Sequence, residues 1–178
     1  MSQSMREARI RPSAISHNVE VLRAMAGTPN MLIVVKANGY GHGALTAARA
    51  ALEGGANWLG TADLAEALEL REAGITAPIL VWLFGPEEDL APAYEHGIDL
   101  GVSSVAQLER VAGVATQGAP ARIHLKIDSG LGRNGVDPRD WDTFFTRVAT
   151  AQKSGKVETI GIFTHLSGAS GEADAAQG

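Results

Sequence analysis

Cysteine is absent from the sequence. This excludes disulfides and thiolate metal sites and fits a reducing cytoplasm. Aromatic residues make up only 5% of the chain, against abundant alanine and glycine. No cluster of Lys and Arg appears, and the net charge is −5 at pH 7. A general nucleic-acid binder is therefore not expected. No apolar run is long enough to span a membrane, and residues 1–10 are polar and charged, without the apolar core of a secretory signal. What is present is a globular composition, 45% apolar and 20% charged over 178 residues, enough for one sizeable core.

Helical and strand patterns alternate along the chain. Ile15, Val19, Leu22 and Met25 repeat at helical spacing, with Ser13 as the expected N-cap and Gly27 and Pro29 as the stop. Strand Met31–Lys36 then precedes helix Ala44–Leu52, strand Asn57–Gly60 precedes helix Asp63–Ala73, and strand Ile79–Leu83 precedes a short helix from Glu87 to His96. Strand Ile98–Val102 is followed by helix Val105–Ala112. Strand Arg122–Asp128 is followed by a loop to Asp137, helix Arg139–Lys153 and strand Val157–Phe163, with a further helix expected from about Glu172. Such alternation predicts a parallel sheet with crossover helices.

The polar residues narrow the architecture. Lys36, Lys126 and His165 fall at or near the C-terminal ends of the first, fifth and sixth strands, where α/β folds build their sites. An open sheet would hold these positions apart, whereas a barrel brings them to one mouth. In the fifth strand Ile123, Leu125 and Ile127 share one face, expected to meet the helices. Arg122, His124, Lys126 and Asp128 share the other, expected to look into the barrel. The expected fold is therefore an α/β barrel of the (β/α)8 TIM type. About six of its units lie within a single domain, 1–178, and the chain reads as stopping short of barrel closure.

The stretch Val34 to Gly43, VVKANGYGHG, carries the chemistry. A lysine at the end of a buried strand is costly unless its amine is used. A desolvated lysine has a lowered pKa, and its neutral amine forms Schiff bases with carbonyls. Gly39, Gly41 and Gly43 permit close approach to a ligand, and the start of the following helix favours an anion. An amine for an aldehyde beside a cradle for a phosphate suggests pyridoxal phosphate. Taken alone, Lys36 would read as a strand-end lysine reaching for solvent.

Three ordered motifs reverse that reading. VKANGYGHG, HLKIDSGLGRNG (His124 to Gly135) and GIFTHLS (Gly161 to Ser167) together resemble the alanine racemase family. The resemblance implies that Lys36 carries pyridoxal 5'-phosphate as an aldimine and acts as one of two catalytic bases. It implies that Tyr40 hydrogen-bonds the cofactor phosphate and that Arg133 faces the substrate carboxylate and the cofactor's phenolic oxygen. His165 would stand near the cofactor ring. Lys126 matches a lysine that is carbamylated to N6-carboxylysine in many relatives, where the new anion would hold Arg133. His42 is assigned no catalytic role and is expected to fix the turn.

The implied reaction is interconversion of L-alanine and D-alanine for peptidoglycan synthesis, in the cytoplasm. The implied partners are those small amino acids and a second copy in a homodimer, whose C-terminal domain supplies a tyrosine as the second base. Without that domain the chain alone is expected to be inactive, and it reads as a truncated N-terminal portion. Two alternatives stand beside this reading: a non-catalytic single-domain pyridoxal phosphate-binding barrel, and a racemase of broader specificity. A divalent metal at His124, Asp128 and His165 matches no established ligand spacing, so no metal is expected.

Overall fold

The computed structural model describes residues 6–115 and 118–167. Six strands alternate with helices: α1 (Pro12–Ala26), β1 (Leu32–Val34), a turn-length α2 (Lys36–Tyr40), α3 (Ala44–Glu53), β2 (Trp58–Thr61), α4 (Leu64–Glu72), β3 (Ile79–Val81), α5 (Ala91–Glu95), β4 (Asp99–Val102), α6 (Val105–Val114), β5 (Ala121–Lys126), α7 (Trp141–Lys153) and β6 (Val157–Phe163). The fold is the expected α/β class, in parallel β/α units. The helix expected near Glu172 lies outside the described residues. Two compact units divide between Ile79 and Leu80.

In the first unit, β1 and β2 pair in parallel, Leu32 opposite Trp58 and Val34 opposite Gly60. Helix α3 lies against α1 and buries Ala47, Ala48, Ala50 and Ala51. These small side chains allow the backbones to approach closely. At Gly54, which follows α3, an added Cβ would lie 2.3 Å from the Ser16 carbonyl oxygen of α1. That contact sets the buried face of α1. Val19 is 3% exposed, while Leu22 and Met25, which share its helical spacing, are 51% and 78% exposed. The helix also starts earlier than expected. Arg11 takes the N-cap position and Pro12 opens the first turn, where its missing N–H costs nothing.

In the second unit β3, β4, β5 and β6 pair in parallel in that order. Ile123 and Leu125 of β5, Leu108 and Val111 of α6, and Phe144 and Val148 of α7 are all buried. The helix expected from Glu87 is confined to Ala91–Glu95. Pro92 cannot donate back to residue 88, so the helix can begin only around it. The preceding residues form turns instead, in which Gly85 N–H donates to Glu88 Oε2 at 2.9 Å and Ala91 N–H to Asp89 Oδ1 at 3.0 Å.

Candidate cofactor site

The lysine-bearing segment is not the strand end that its apolar run predicts. Strand β1 stops at Val34. Val35 leaves the extended region at φ −123°, ψ 20°, and Lys36 emerges half-buried two residues past the strand. The next four residues are all left-handed: Ala37, Asn38, Gly39 and Tyr40 have φ of 52°, 53°, 62° and 53°. Such a run costs about 1–2 kcal/mol for each residue with a Cβ, least for asparagine. Several hydrogen bonds hold it.

Gly39 N–H donates to Val35 O at 2.9 Å, Gly41 N–H to Ala37 O at 3.1 Å, and Gly43 N–H to Asn38 O at 2.9 Å. The His42 ring Nδ1 lies 3.0 Å from Gly39 O and 3.2 Å from Tyr40 O, the turn-fixing place expected for it. Asn38 Oδ1 accepts the Ala44 N–H at 2.8 Å and so caps α3, occupying the first helix amide that was assigned to an anion. A Cβ at Gly39 would crowd the Ala47 Cβ at 3.0 Å, on top of the cost of its positive φ. Tyr40 projects outward, 59% exposed.

One residue of this half was missed in the sequence. Glu66, in the first turn of α4, accepts the Ala37 N–H through Oε1 and the Ala62 N–H through Oε2, the latter at 3.0 Å. Its own N–H donates to Asp63 Oδ1 at 3.0 Å. The signal was present as Asp63-x-x-Glu66, a capping-box pattern. Its reach to Ala37 was not.

The second unit carries Lys126, Arg133 and His165. Lys126 ends β5 at 6% exposure, with Nζ 5.6 Å from the centroid of the Phe163 ring. Behind it on the same strand face, Arg122 and His124 converge on Asp99 of β4, which is fully buried. Arg122 Nε donates to Oδ1 at 2.7 Å and Nη2 to Oδ2 at 3.3 Å, while His124 Nε2 lies 3.1 Å from Oδ2. The bond to Asp99 raises the Arg122 pKa, against its partial burial. The His124 ring meets Phe163 edge to face at 6.5 Å. The face expected to be polar is therefore a stack of engaged side chains, organised by an aspartate that the sequence reading passed over. A lone acid within Ile98–Val102 was the available sign.

Beyond β5 the glycine loop is tightly closed. Asp128 Oδ1 accepts the N–H groups of Gly130 at 2.9 Å and Gly132 at 3.1 Å, and these bonds lower its pKa. Val136 N–H donates to Lys126 O at 2.8 Å, and Asp128 N–H to Val136 O at 3.1 Å. Arg133 sits exposed on this loop. His165 is exposed two residues past β6, and just before it the Thr164 hydroxyl shares a 2.7 Å hydrogen bond with Ser129. The loop bearing Arg133 and the exit to His165 thus lie together at the C-terminal ends of β5 and β6. Lys36 and Tyr40 belong to the first unit. His124 Nε2 is engaged with Asp99, and Asp128 Oδ1 with loop amides. No group of three or more metal-ligating side chains occurs among the described residues, and no helix among them is long and apolar enough to cross a membrane.

Comparison with known proteins gives a consistent result. Residues 10–177 match the family described as alanine racemase, N-terminal domain. An alanine racemase of Thermobifida fusca is 51% identical over 164 residues, which is 92% of this chain and 44% of that protein. The crystal structure of alanine racemase from D-cycloserine-producing Streptomyces lavendulae superposes with a TM-score of 0.89 at 42% identity, over 96% of this chain and 46% of that one. A histidine racemase from Leuconostoc mesenteroides subsp. sake superposes with a TM-score of 0.80 at 28% identity, over 93% and 44%. The chain spans less than half the length of these relatives.

Proposed function

The chain belongs to the alanine racemase N-terminal domain family, and from that premise we propose that it serves a pyridoxal phosphate-dependent racemase interconverting L-alanine and D-alanine in the cytoplasm, for peptidoglycan. The observation that carries the reading is the left-handed turn at Ala37 to Tyr40. Strain of this kind collects where a side chain must be presented in one direction, and here the turn presents Lys36. The residues fit the cofactor: a half-buried primary amine and, four positions on, an outward phenol stand on one turn held by backbone hydrogen bonds from Gly39, Gly41 and Gly43.

When bound, pyridoxal phosphate withdraws electrons from the substrate α-carbon and makes its proton labile. The Lys36 amine would hold the cofactor covalently and, once the substrate amine has displaced it from that bond, would take or return the proton at Nζ. The Tyr40 hydroxyl would donate to the phosphate. The Arg133 guanidinium would grip the substrate carboxylate with its two-pronged geometry. Lys126, carbamylated at Nζ, would hold Arg133 as a paired anion, and an intact-mass spectrum showing a bare amine at Lys126 would exclude that role. His165 would stand by the cofactor ring. A second base would come from a partner subunit in a homodimer. A broader-specificity racemase is the second reading, favoured by the histidine racemase that shares this fold.

The test is to incubate the protein carrying this chain with pyridoxal phosphate and L-alanine and to follow D-alanine by chiral chromatography. D-alanine formation that is lost in Lys36→Ala is expected. Cofactor binding without racemisation of alanine or any other amino acid would overturn the proposal in favour of a non-catalytic binder.

A further inference from the structure

We propose that Glu66 is a positioning residue for the Lys36 amine. Its carboxylate fixes the peptide plane between Lys36 and Ala37, and thereby the direction in which Lys36 leaves the chain. This rests on the reading of Lys36 as the cofactor lysine.

The two oxygens of Glu66 take two amides from two different segments. Oε2 accepts Ala62 N–H at the entrance to α4, and Oε1 accepts Ala37 N–H in the lysine turn. The Glu66 backbone N–H separately donates to Asp63 Oδ1 at 3.0 Å, the bond that caps α4. The remaining bonds of the turn run from Gly39, Gly41, His42 and Gly43 back to Val35, Ala37, Asn38 and Gly39. They order the turn beyond Ala37 but do not engage the N–H between Lys36 and Ala37. That peptide sets ψ of Lys36 and φ of Ala37, the two torsions that aim the lysine relative to the turn. Ala37 sits at φ 52°, where alanine does not stay without an external hold. An ionised acceptor is the strongest such hold a side chain can offer to a backbone N–H.

The test uses the protein carrying this chain, as wild type, Glu66→Ala, Glu66→Gln and Asp63→Ala. Pyridoxal phosphate is titrated into each across a range of pH, with attachment read from protein-bound absorbance and stability from urea unfolding. Glu66→Ala is expected to weaken attachment by about tenfold, as loss of one charge-assisted hydrogen bond would, and to shift its pH profile. Glu66→Gln keeps one acceptor oxygen and should fall between, and it carries the test if the alanine variant does not fold. Asp63→Ala removes the cap of α4 without touching the turn, and should lose stability while keeping the wild-type affinity and pH profile. Wild-type attachment by both Glu66 variants, or an equal loss in Asp63→Ala, overturns this inference and leaves the proposed function standing. A wild-type protein that attaches no pyridoxal phosphate overturns both.

Discussion

Two glycines in the loop that bears Arg133 share a positive φ and differ in what surrounds them, which allows the loop closure to be measured. Gly130 has φ 126° and Gly135 has φ 127°. Alanine at either position pays the penalty of a residue forced to positive φ, about 1–3 kcal/mol. At Gly130 an added Cβ meets nothing within 4 Å. At Gly135 it would lie 2.5 Å from both Asp128 N and Ile127 C, which are backbone atoms that cannot rotate away. Relief demands a backbone shift of roughly 1 Å, at the place where Val136 N–H donates to Lys126 O and Asp128 N–H donates to Val136 O. Losing those two bonds at about 1 kcal/mol each should make Gly135→Ala about 2 kcal/mol more destabilising than Gly130→Ala. Urea unfolding of the two variants side by side measures the difference directly, with the m-value confirming that both unfold from the same native state. Equal losses, within about 0.5 kcal/mol, would rule out a rigid closure at Gly135. They would mean that the strand-like closure between Lys126 and Val136 yields freely and does not hold the Arg133 loop in place.

Other perturbations follow from the same contacts. Asp99→Ala should destabilise by about 3 kcal/mol, the lower end for a broken buried ion pair because Arg122 retains access to water; Asp99→Ala combined with Arg122→Met should recover part of that loss in thermal unfolding, and no recovery would show that the pairing is not what Asp99 contributes. Asp137 is held by Arg139, which lowers its pKa from 3.8 to about 2. A carboxyl depressed in the folded state contributes stability above its unfolded value and loses it as pH falls through the folded one. Arg139→Ala should therefore return the Asp137 titration seen by NMR toward 3.8 and flatten the stability loss in that acid window; an unmoved titration would exclude the Arg139 bond as the cause.

Much of the fold was legible because it depends on patterns local to the chain. The final strand runs from Val157 to Phe163 as its apolar and β-branched run predicts, and α7 ends at Lys153 where Gly155 forces a stop. The alternation of Ile123 and Leu125 against Arg122 and His124 also translated into burial, and Lys126 departs from it by being buried. What was not legible depends on residues far apart in sequence. Ala37 and Tyr40 disfavour left-handed backbone, and the carboxylate that anchors Ala37 stands 29 residues later, in α4. Asp99 reads as an isolated acid until the register brings β5 beside it, when it becomes the shared partner of Arg122 and His124. Similarly, the motif pointed to Lys36, but its exit from the strand two residues early is set by Val35 turning away from extended geometry.

Lys36 is the residue proposed to hold pyridoxal phosphate. Reduction of the cofactor-loaded protein with borohydride, followed by proteolysis and mass spectrometry, locates that bond to one lysine. A pyridoxyl group on the peptide containing Lys36, absent in Lys36→Ala, is the expected result. Reduced cofactor on Lys126 or Lys156, or on no lysine at all, would contradict the account.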